Sequence, residues 1–342
     1  MRKVSTERLV GIIRTLAKER DTVILAHNYQ EGPIQEAADY VGDSLKLAQY
    51  ATKARQSTIL FCGVHFMAET AAILCPDKKV IVPDLEAGCT LADMVMPAQV
   101  RTWKKDHPRG VVVCYVNTSA AVKAECDYCC TSSNALKIIE AIPKEKEILF
   151  VPDFYLGSYV KAKTKRNITL WKGYCPSHAT IDPERIDRLR AENPEAEFIM
   201  HPECGCLTKQ MDLADKILST DGMVSYAKES TADTFIVATD NALLYRLRRD
   251  NPKKKFIAAS EYANCHHMQR NTLQKVFRSL VTGQFEVTVE PAVAARAYQC
   301  IERMMAISEG RQPDLSGRPA AQGFEMIQLY DDWILEAAGD LR

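Results

Sequence analysis

The chain has 342 residues, of which 46% are hydrophobic, and its 44 basic side chains balance 44 acidic ones, so the formal net charge is zero. This balance argues against a nucleic-acid-binding protein, and no apolar run reaches the length of a membrane span. Residues 1–25 predict an amphipathic helix followed by a strand rather than a signal peptide. We therefore expect a cytoplasmic protein without nucleic-acid or membrane partners.

The first hundred or so residues alternate between short apolar strands and helical patterns. Strands are predicted at Thr22–Ala26, Ile59–Cys62 and Val80–Pro83, and helices over residues 34–54 and 65–79. Strands that are apolar throughout and separated by helices are typical of a parallel sheet covered on both faces. This segment has the length of one small α/β domain.

The next two segments repeat this order of strands and helices. Strands of the second segment are predicted at 111–118, 147–153 and 167–173, and those of the third at 197–203, 216–220, 234–240 and 254–260. We therefore predict an α/β protein of three similar three-layer αβα domains with parallel sheets, over residues 1–105, 106–192 and 193–282. Residues 283–342 should form C-terminal helices that pack back on the core, the last of them from about Phe324.

Two residue types recur at one spacing along the chain. Serines that open a helical pattern lie 88 and 87 residues apart, at Ser44, Ser132 and Ser219. Cysteines that follow a late strand lie 86 and 90 residues apart, at Cys89, Cys175 and Cys265. This period is too long for a solenoid repeat and suits a small domain. Three such domains around a pseudo-threefold axis would each direct one helix start and one thiolate to an active site at the centre.

Polar side chains close the first strand of each predicted domain. The three groups are His27-Asn28-Tyr29, Tyr115-Val116-Asn117 and His201-Pro202-Glu203. Ligands of parallel α/β sheets bind beyond the carboxyl ends of the strands, which makes these groups candidate binding residues. Any one group could instead serve a helix cap or a loop hydrogen bond. Their equivalent positions in three domains favour a shared site.

The serines that open helices have two interpretations. Serine and threonine are preferred N-caps, so capping alone explains any one of them. A helix N-terminus also presents free N–H groups and the positive end of the helix dipole, which suit a phosphate or a carboxylate. Three such ends facing one centre, the Ser219-Thr220 pair among them, would hold a small substrate that carries several negative charges.

Twelve cysteines in a chain of this size indicate metal or redox chemistry rather than disulfides. The three periodic cysteines have no second cysteine at metal-site spacing, so one thiolate per domain predicts an incomplete ligand set around a [4Fe–4S] cluster, whose fourth iron is free to act as a Lewis acid. Better local spacing for a metal or redox site occurs at Cys126, Cys129 and Cys130, and at Cys204 and Cys206. A single buried cysteine is more often just a small hydrophobic residue.

Seven stretches of the sequence match the motifs of a known family. They are GDSLKLA (42–48), FCGVHFMAETAAIL (61–74), AGCTLADM (87–94), TSSNA (131–135), LFVPDFYLGSYV (149–160), WKGYCPSH (171–178) and HPEC (201–204). With these motifs in order, and over about residues 20–310, the chain resembles the quinolinate synthases, which are iron–sulfur enzymes of NAD biosynthesis.

The resemblance implies a reaction, a cofactor and a fold. Quinolinate synthases condense iminoaspartate with dihydroxyacetone phosphate and release quinolinate, phosphate and water. Their fold has three αβα domains about a pseudo-threefold axis, with one [4Fe–4S] cluster per chain in the central cavity. By motif, the cluster ligands are Cys89, Cys175 and Cys265. An aspartate oxidase or dehydrogenase would be the functional partner, because iminoaspartate hydrolyses readily and has to be supplied.

The resemblance and the strand-end groups together predict the site residues. Isomerisation and carbon–carbon bond formation need proton transfer next to a carbonyl, and the candidate acids and bases are Tyr29, His201 and Glu203. The leaving phosphate needs an anion site, for which Ser219 and Thr220 are the candidates. The predicted substrate-binding residues are His27, Ser44, Tyr115, Val116, Asn117, Ser132, His178, His201, Pro202, Glu203, Ser219 and Thr220.

The sequence departs from the family pattern at three places. Residues 265–268 read Cys-His-His-Met, where some members have a C-x-x-C-x-x-C run, so redox control through such a run is not expected. Leu218 stands where a glycine commonly precedes the Ser-Thr pair, so the local backbone should differ. Asp240 stands where many members have glutamate.

Two other functions fit part of the sequence. A [4Fe–4S] hydro-lyase of the aconitase type would act on a different acid, although the Ser-Thr helix start favours a phosphorylated co-substrate. A non-enzymatic protein that stores metal or senses redox state would account for the cysteines. It would leave the repeated polar groups at the strand ends unexplained.

Overall fold

The computed structural model describes residues 5–313, and its strands form three parallel sheets of four strands each. The first sheet contains β1 (Thr22–His27), β2 (Tyr40–Gly42), β3 (Thr58–Cys62) and β4 (Lys79–Ile81). The second contains β5 (Val111–Tyr115), β6 (Tyr128–Cys130), β7 (Ile148–Val151) and β8 (Ile168–Leu170). The third contains β9 (Glu197–Met200), β10 (Lys216–Ile217), β11 (Thr234–Ala238) and β12 (Lys255–Ala258). The α/β class with parallel sheets that the sequence predicts is confirmed.

The three sheets share one strand order, in which the first strand lies between the second and the third and the fourth follows at the edge. We call the segments that carry them unit 1 (residues 5–106), unit 2 (111–192) and unit 3 (197–270). Helices of unit 1 are α1 (Thr6–Glu19), α2 (Gly32–Ala37), α3 (Ser44–Lys53), α4 (His65–Leu74) and α5 (Pro97–Asp106). Helices of unit 2 are α6 (Ala120–Lys123), α7 (Ala135–Ala141), α8 (Phe154–Thr164), α9 (Pro176–Ala179) and α10 (Pro183–Glu192). Unit 3 contains α11 (Leu207–Gln210), α12 (Thr220–Glu229) and α13 (Leu243–Asp250), and the chain continues with α14 (Leu273–Thr282) and α15 (Pro291–Glu309).

The central strands are apolar because both of their faces are buried. Every residue of β1 is buried, and β3 pairs with β1 in parallel register from Thr22↔Thr58 to Ala26↔Cys62. A strand covered by helices on both sides needs no alternation of polar and apolar residues. The polar groups singled out from the sequence lie at the carboxyl ends of β1, β5 and β9, with His27 and Tyr115 as the last residues of their strands.

The two last helices return to the earlier units. Leu273, Val276 and Leu280 of α14 pack in the same apolar cluster as Ile13 of α1 and Ile24 of β1. This helix therefore covers the first sheet, although the domain boundaries predicted from the sequence group it with the third domain. Between α14 and α15, a short segment extends the first sheet, since the N–H of Val82 donates to the carbonyl of Phe285 at 2.9 Å.

Helix α15 packs on unit 2. Arg303 Nη1 donates to the carbonyl of Asp127 at 2.7 Å, and Asn134 Nδ2 donates to Ser308 Oγ at 2.8 Å. The further helix predicted from about Phe324 lies outside the described residues. None of the helices in the described part of the chain is long and apolar enough to cross a membrane.

The three periodic serines do not occupy equivalent helical positions. Ser219 is the N-cap of α12, and Ser44 is the first residue of α3, which Asp43 caps instead. Ser132 does not open a helix, because α7 begins only after Asn134, whose side-chain oxygen accepts from the N–H of Thr131 at 2.6 Å. The prediction that all three serines start helices is therefore wrong for Ser132, which lies in the turn that precedes α7.

Candidate active site

Most side chains singled out from the sequence line one cavity among the three units. The space measures about 620 Å³ including its opening to solvent, which is within the range of small-ligand sites. Unit 1 contributes His27, Tyr29, Ser44 and Cys89, unit 2 contributes Tyr115, Asn117, Ser132, Cys175 and His178, and unit 3 contributes His201, Glu203, Thr220 and Cys265. Each unit thus supplies hydrogen-bonding groups and one thiol to the same space.

Three residues that we predicted at the site do not line this cavity. Val116 is buried in the core, and its N–H donates to the carbonyl of Cys130 at 2.7 Å. Pro202 is buried beside the cavity without facing it. The Ser219 hydroxyl accepts from the N–H of Gly222 at 3.2 Å and donates to Asp43 Oδ2 at 3.1 Å. Ser219 therefore caps a helix, and its neighbour Thr220 presents the side chain to the cavity.

The structure adds a wall that sequence reasoning missed. Besides the predicted residues, the cavity is lined by Val64, Phe66, Met67, Met268, Asp43 and Thr131. Four of these side chains are apolar and carry no chemical signature. Val64, Phe66 and Met67 lie in the family motif at residues 61–74, whereas Met268 lies outside it. Asp43 could have been found as the N-cap that precedes Ser44.

The three thiols of the cavity lie on loops that follow the last strands of their sheets. His178 Nδ1 is 3.2 Å from Cys175 Sγ, and the N–H of Cys265 donates to Asp240 Oδ2 at 2.6 Å. The loop of Cys265 also reaches the loop of Cys89, because His267 Nε2 is 3.0 Å from Thr90 Oγ1. The carboxylate of Asp240 thus anchors a cysteine loop.

These thiols fit a soft metal centre. Burial raises the pKa of the Cys89 thiol to about 12 and also raises the pKa of Cys175 and of Cys265. Without a metal, all three therefore stay protonated at neutral pH, and only a metal that binds thiolates would ionise them. Three cysteine sulfurs from the described residues line this cavity, and cysteine thiolates are the ligands of iron–sulfur clusters.

Glu203 is the centre of a second group of polar side chains. Its Oε2 lies 3.5 Å from His178 Nδ1 and 3.3 Å from His201 Nδ1, and its Oε1 accepts from Asn117 Nδ2 at 3.3 Å. Burial tends to raise the pKa of Glu203, but the hydrogen bond with His201, the neighbouring His178 and the Tyr115 hydroxyl outweigh burial and lower this pKa to about 2. Glu203 is therefore an ionised carboxylate inside the cavity.

Two imidazoles that line the cavity, those of His27 and His178, are neutral. Burial lowers the pKa of His27 and of His178 to about 4. His27 Nδ1 accepts from the N–H of Tyr29 at 3.1 Å, so the neutral ring carries its proton on Nε2 and can donate to a ligand. His178 Nε2 lies 3.0 Å from Thr239 Oγ1 and 3.3 Å from the Tyr29 hydroxyl.

The ligand atoms of His178, His201 and Glu203 also lie within 4.8 Å of one another, close enough to surround a metal ion. Most of these atoms already take part in polar contacts, since His201 Nε2 is 3.0 Å from Ser132 Oγ and His178 Nδ1 is 3.2 Å from Cys175 Sγ. Hydrogen bonds among these side chains therefore account for the arrangement of this group without a metal ion.

Tyr29 is held as a neutral phenol. Burial raises the pKa of Tyr29 well above its ordinary value, and Glu203 adds to this effect. The hydroxyl shares a hydrogen bond of 2.5 Å with Thr239 Oγ1. One more atom is ready for a ligand, because Asn117 Oδ1 is buried and has no hydrogen-bond partner among the described residues. The cavity therefore offers neutral donors, one free amide acceptor and the ionised carboxylate of Glu203, and Asp43 adds a second carboxyl group to its lining.

The remaining cysteines lie away from the cavity lining. Cys114, Cys126, Cys129 and Cys300 are buried together in the core around β5, β6 and α15. Cys129 faces Cys114 across the two paired strands, and Cys126 Sγ donates to the carbonyl of Val122 at 3.1 Å. In unit 3, Cys204 Sγ donates to the carbonyl of Ala238 at 2.9 Å. The sequence clusters with the best local metal spacing thus serve as core residues here.

The family model of the Quinolinate synthetase A protein matches residues 12–306 of this chain. The quinolinate synthase of Dehalococcoides mccartyi is 51% identical to it over 295 residues, which cover 86% of this chain and 97% of that protein. The quinolinate synthase of Thermus thermophilus is 48% identical over 309 residues, covering 90% and 100% of the two chains. That of Pyrobaculum aerophilum is 50% identical over 295 residues, covering 84% and 96%. The chain therefore belongs to the quinolinate synthase family of enzymes.

Proposed function

We propose that this enzyme condenses iminoaspartate with dihydroxyacetone phosphate and releases quinolinate, phosphate and water. The reaction takes place in the cavity that all three units line, at the centre of three αβα domains related by a pseudo-threefold axis. The observation that carries the proposal is the set of side chains that line this cavity, in a chain that belongs to the quinolinate synthase family. Three thiols, an ionised carboxylate, neutral imidazoles and a helix start meet there.

Cys89, Cys175 and Cys265 would hold a [4Fe–4S] cluster, one per chain. Such a cluster would supply Lewis-acid chemistry to the cavity. Asp240 keeps the loop of Cys265 in place, and the contact between His267 and Thr90 keeps two of the cysteine loops together. The protein's own contribution to the cofactor is thus the alignment of three loops from three units.

Glu203 is the general base. It is ionised in a buried site, which lets it accept a proton from carbon next to a carbonyl during isomerisation and carbon–carbon bond formation. The neighbouring rings of His178 and His201 can pass that proton on, and His201 reaches Ser132 through its other nitrogen. The Tyr29 hydroxyl is the matching general acid, because its pKa keeps it protonated and Thr239 orients it.

Neutral donors hold the negative groups of the substrates. Thr220 is the first residue of α12, and Ser44 is the first residue of α3, so both cavity-lining hydroxyls stand at helix N-termini with free N–H groups. The sequence assigned the leaving phosphate to the Ser219-Thr220 pair. Because the Ser219 hydroxyl is committed to Asp43 and Gly222, we assign the phosphate to Thr220 and the backbone that follows it.

Omission of one substrate tests the proposed function. Anaerobically purified, cluster-loaded enzyme should form quinolinate from iminoaspartate and dihydroxyacetone phosphate, as measured by chromatography. Since iminoaspartate hydrolyses, an aspartate oxidase or dehydrogenase in the assay should generate it continuously. Product that forms equally well without the triose phosphate would identify a hydro-lyase of the aconitase type. Absence of any product would favour the metal-storing or redox-sensing alternative.

A further inference from the structure

A buried polar network joins units 1 and 3 behind the wall of the cavity. It contains Asn28, Asp43, Asp221 and Arg246, and none of the first three side chains is more than 6% exposed. Asn28 lies between His27 and Tyr29, and Asp221 directly follows Thr220. The network therefore adjoins cavity residues of unit 1 and of unit 3 at the proposed phosphate site. Of its four members, only Asp43 lines the cavity itself.

Arg246 of α13 connects the two units. Its Nη1 donates to Asn28 Oδ1 at 2.5 Å, to Asp221 Oδ1 at 2.8 Å and to the carbonyl of Val41 at 3.2 Å. The Arg246 side chain is only 17% exposed, so these charge-assisted bonds are largely shielded from water. On the other side of Asp221, Oδ2 accepts from the N–H of Asp43 at 2.9 Å.

These contacts fix which way the Asn28 amide points. Arginine can only donate and a carboxylate can only accept, so Asn28 must place its oxygen at Arg246 and its nitrogen near Asp221. The nitrogen Nδ2 then donates to Thr220 Oγ1 at 2.8 Å and to Asp221 Oδ1 at 3.3 Å. Because Thr220 Oγ1 accepts this bond, the hydroxyl proton of Thr220 remains free to donate into the cavity.

We infer that Arg246 is a positioning residue for the anion of the substrate and acts through Asn28 on the proton of Thr220. This role rests on the proposed function, in which Thr220 binds the phosphate. Without Arg246 the Asn28 amide can rotate and accept the Thr220 proton, and the site then loses a donor. The expected consequence is weaker binding of a phosphate, rather than a loss of chemistry at Glu203 or of the cysteine loops.

The test measures the dissociation constants of dihydroxyacetone phosphate and of inorganic phosphate by calorimetry, on cluster-loaded protein. Arg246→Met should raise both constants about tenfold, as expected when one charge-assisted contact is lost, and should raise KM for the triose phosphate more than it lowers kcat. Asn28→Asp, which is nearly isosteric but accepts instead of donating, should weaken binding as well. Arg246→Lys retains the charge and should fall between the wild type and Arg246→Met.

A matched control lies on the same helix. Arg249 also pairs with unit 1, through Glu36 at 3.1 Å, but its side chain is 39% exposed and does not contact the network. Arg249→Met should therefore leave both dissociation constants within about twofold of wild type. Equal losses in the two methionine variants would overturn the inference, because they would indicate general loosening of the interface between units.

A double-mutant cycle identifies the path through Thr220. In a Thr220→Val background, Arg246→Met should change phosphate affinity by less than about twofold, because the positioned hydroxyl is already gone. Additive losses would refute action through Thr220. Wild-type protein that binds phosphate but forms no quinolinate would refute the proposed function and leave the positioning role intact. Wild-type protein that binds neither phosphate nor the triose phosphate would refute the positioning role.

Discussion

Proton transfer in the cavity depends on which of its buried side chains are ionised. Burial disfavours a charge on any of them, and it keeps His27 and His178 neutral by lowering their pKa to about 4. Glu203 is the exception, because hydrogen bonds from its neighbours stabilise its carboxylate. An ionised carboxylate beside neutral imidazoles is suited to remove a proton from a substrate.

The Glu203→Gln variant tests the base. Glutamine keeps the size and the contact with Asn117 but cannot accept a proton, so quinolinate formation should fall by at least about 100-fold. Iron and sulfide content should match the wild type, since Glu203 does not hold the cysteine loops. The measurement is turnover per cluster under anaerobic conditions, and full turnover in the cluster-loaded variant would rule out the assigned role.

His27 makes stability depend on pH in a defined direction. The unfolded chain protonates His27 near its ordinary pKa of 6.5, whereas the folded protein does so only near 4. Between these values the unfolded state binds more protons, so the free energy of unfolding should fall by up to about 1.4 kcal/mol per pH unit, for this one group, as the pH drops from 6.5 to 4.

The comparison variant for this effect is His27→Gln, which removes the titrating ring. Thermal midpoints of wild type and variant should be measured at pH 7 and at pH 5. The midpoint of the wild type should drop more steeply on acidification than that of the variant. Parallel drops in the two proteins would show that His27 titrates alike in the folded and unfolded chains.

Polar residues at strand ends could be predicted from the sequence, whereas the apolar wall could not. His27 ends a short apolar strand, and Asn117 and Glu203 each follow one; the parallel-sheet pattern predicts that such residues meet at one end of the sheet. Phe66 and Met268 look like ordinary core residues in sequence, because nothing in a hydrophobic side chain tells a cavity wall from packed core. Only the assembled loops distinguish the two.

At the scale of elements, equal sequence spacing did not produce equal helix starts. Ser219 caps α12, Asp43 rather than Ser44 caps α3, and Asn134 rather than Ser132 precedes α7. Aspartate, asparagine and serine are all good N-caps, so the cap can shift by one or two residues without altering the helix that follows. Helix existence was therefore predictable here, and the identity of the side chain that faces the cavity was not.

The C-terminal helices show why domain boundaries are harder to predict than strands. Helix α14 follows unit 3 in sequence, yet its apolar face packs with Ile13 and Ile24 of unit 1. The amphipathic pattern of α14 predicts that one face is buried, but it carries no information about which sheet lies beneath it. Strand order within each unit is local, whereas the docking of these helices is a property of the whole chain.

At the scale of the whole molecule, the repeated strand order and a shared core explain how three distant loops reach one cavity. One apolar cluster contains Ile59 of unit 1, Val112 of unit 2 and Phe235 of unit 3, so the sheets pack on a common interior. The loop after the last strand of each sheet carries one of the three cavity thiols. Repetition thus brings one thiol from each unit to the same cavity, while the strand ends bring different polar side chains to it.

The placement of one cavity thiol in each unit predicts how iron content responds to cysteine substitution. Cys89→Ala, Cys175→Ala and Cys265→Ala should each lose most of the iron and sulfide that anaerobically purified wild type carries, because each removes one of the three thiolates that we propose as cluster ligands. Cys129→Ala is the matched control, since Cys129 is a fully buried core residue that does not line the cavity. Its iron and sulfide should stay near four each per chain, as in the wild type. Iron that is lost from Cys129→Ala but kept in the other three variants would move the metal centre to the core of unit 2, and zinc in place of iron in the wild type would exclude the cluster.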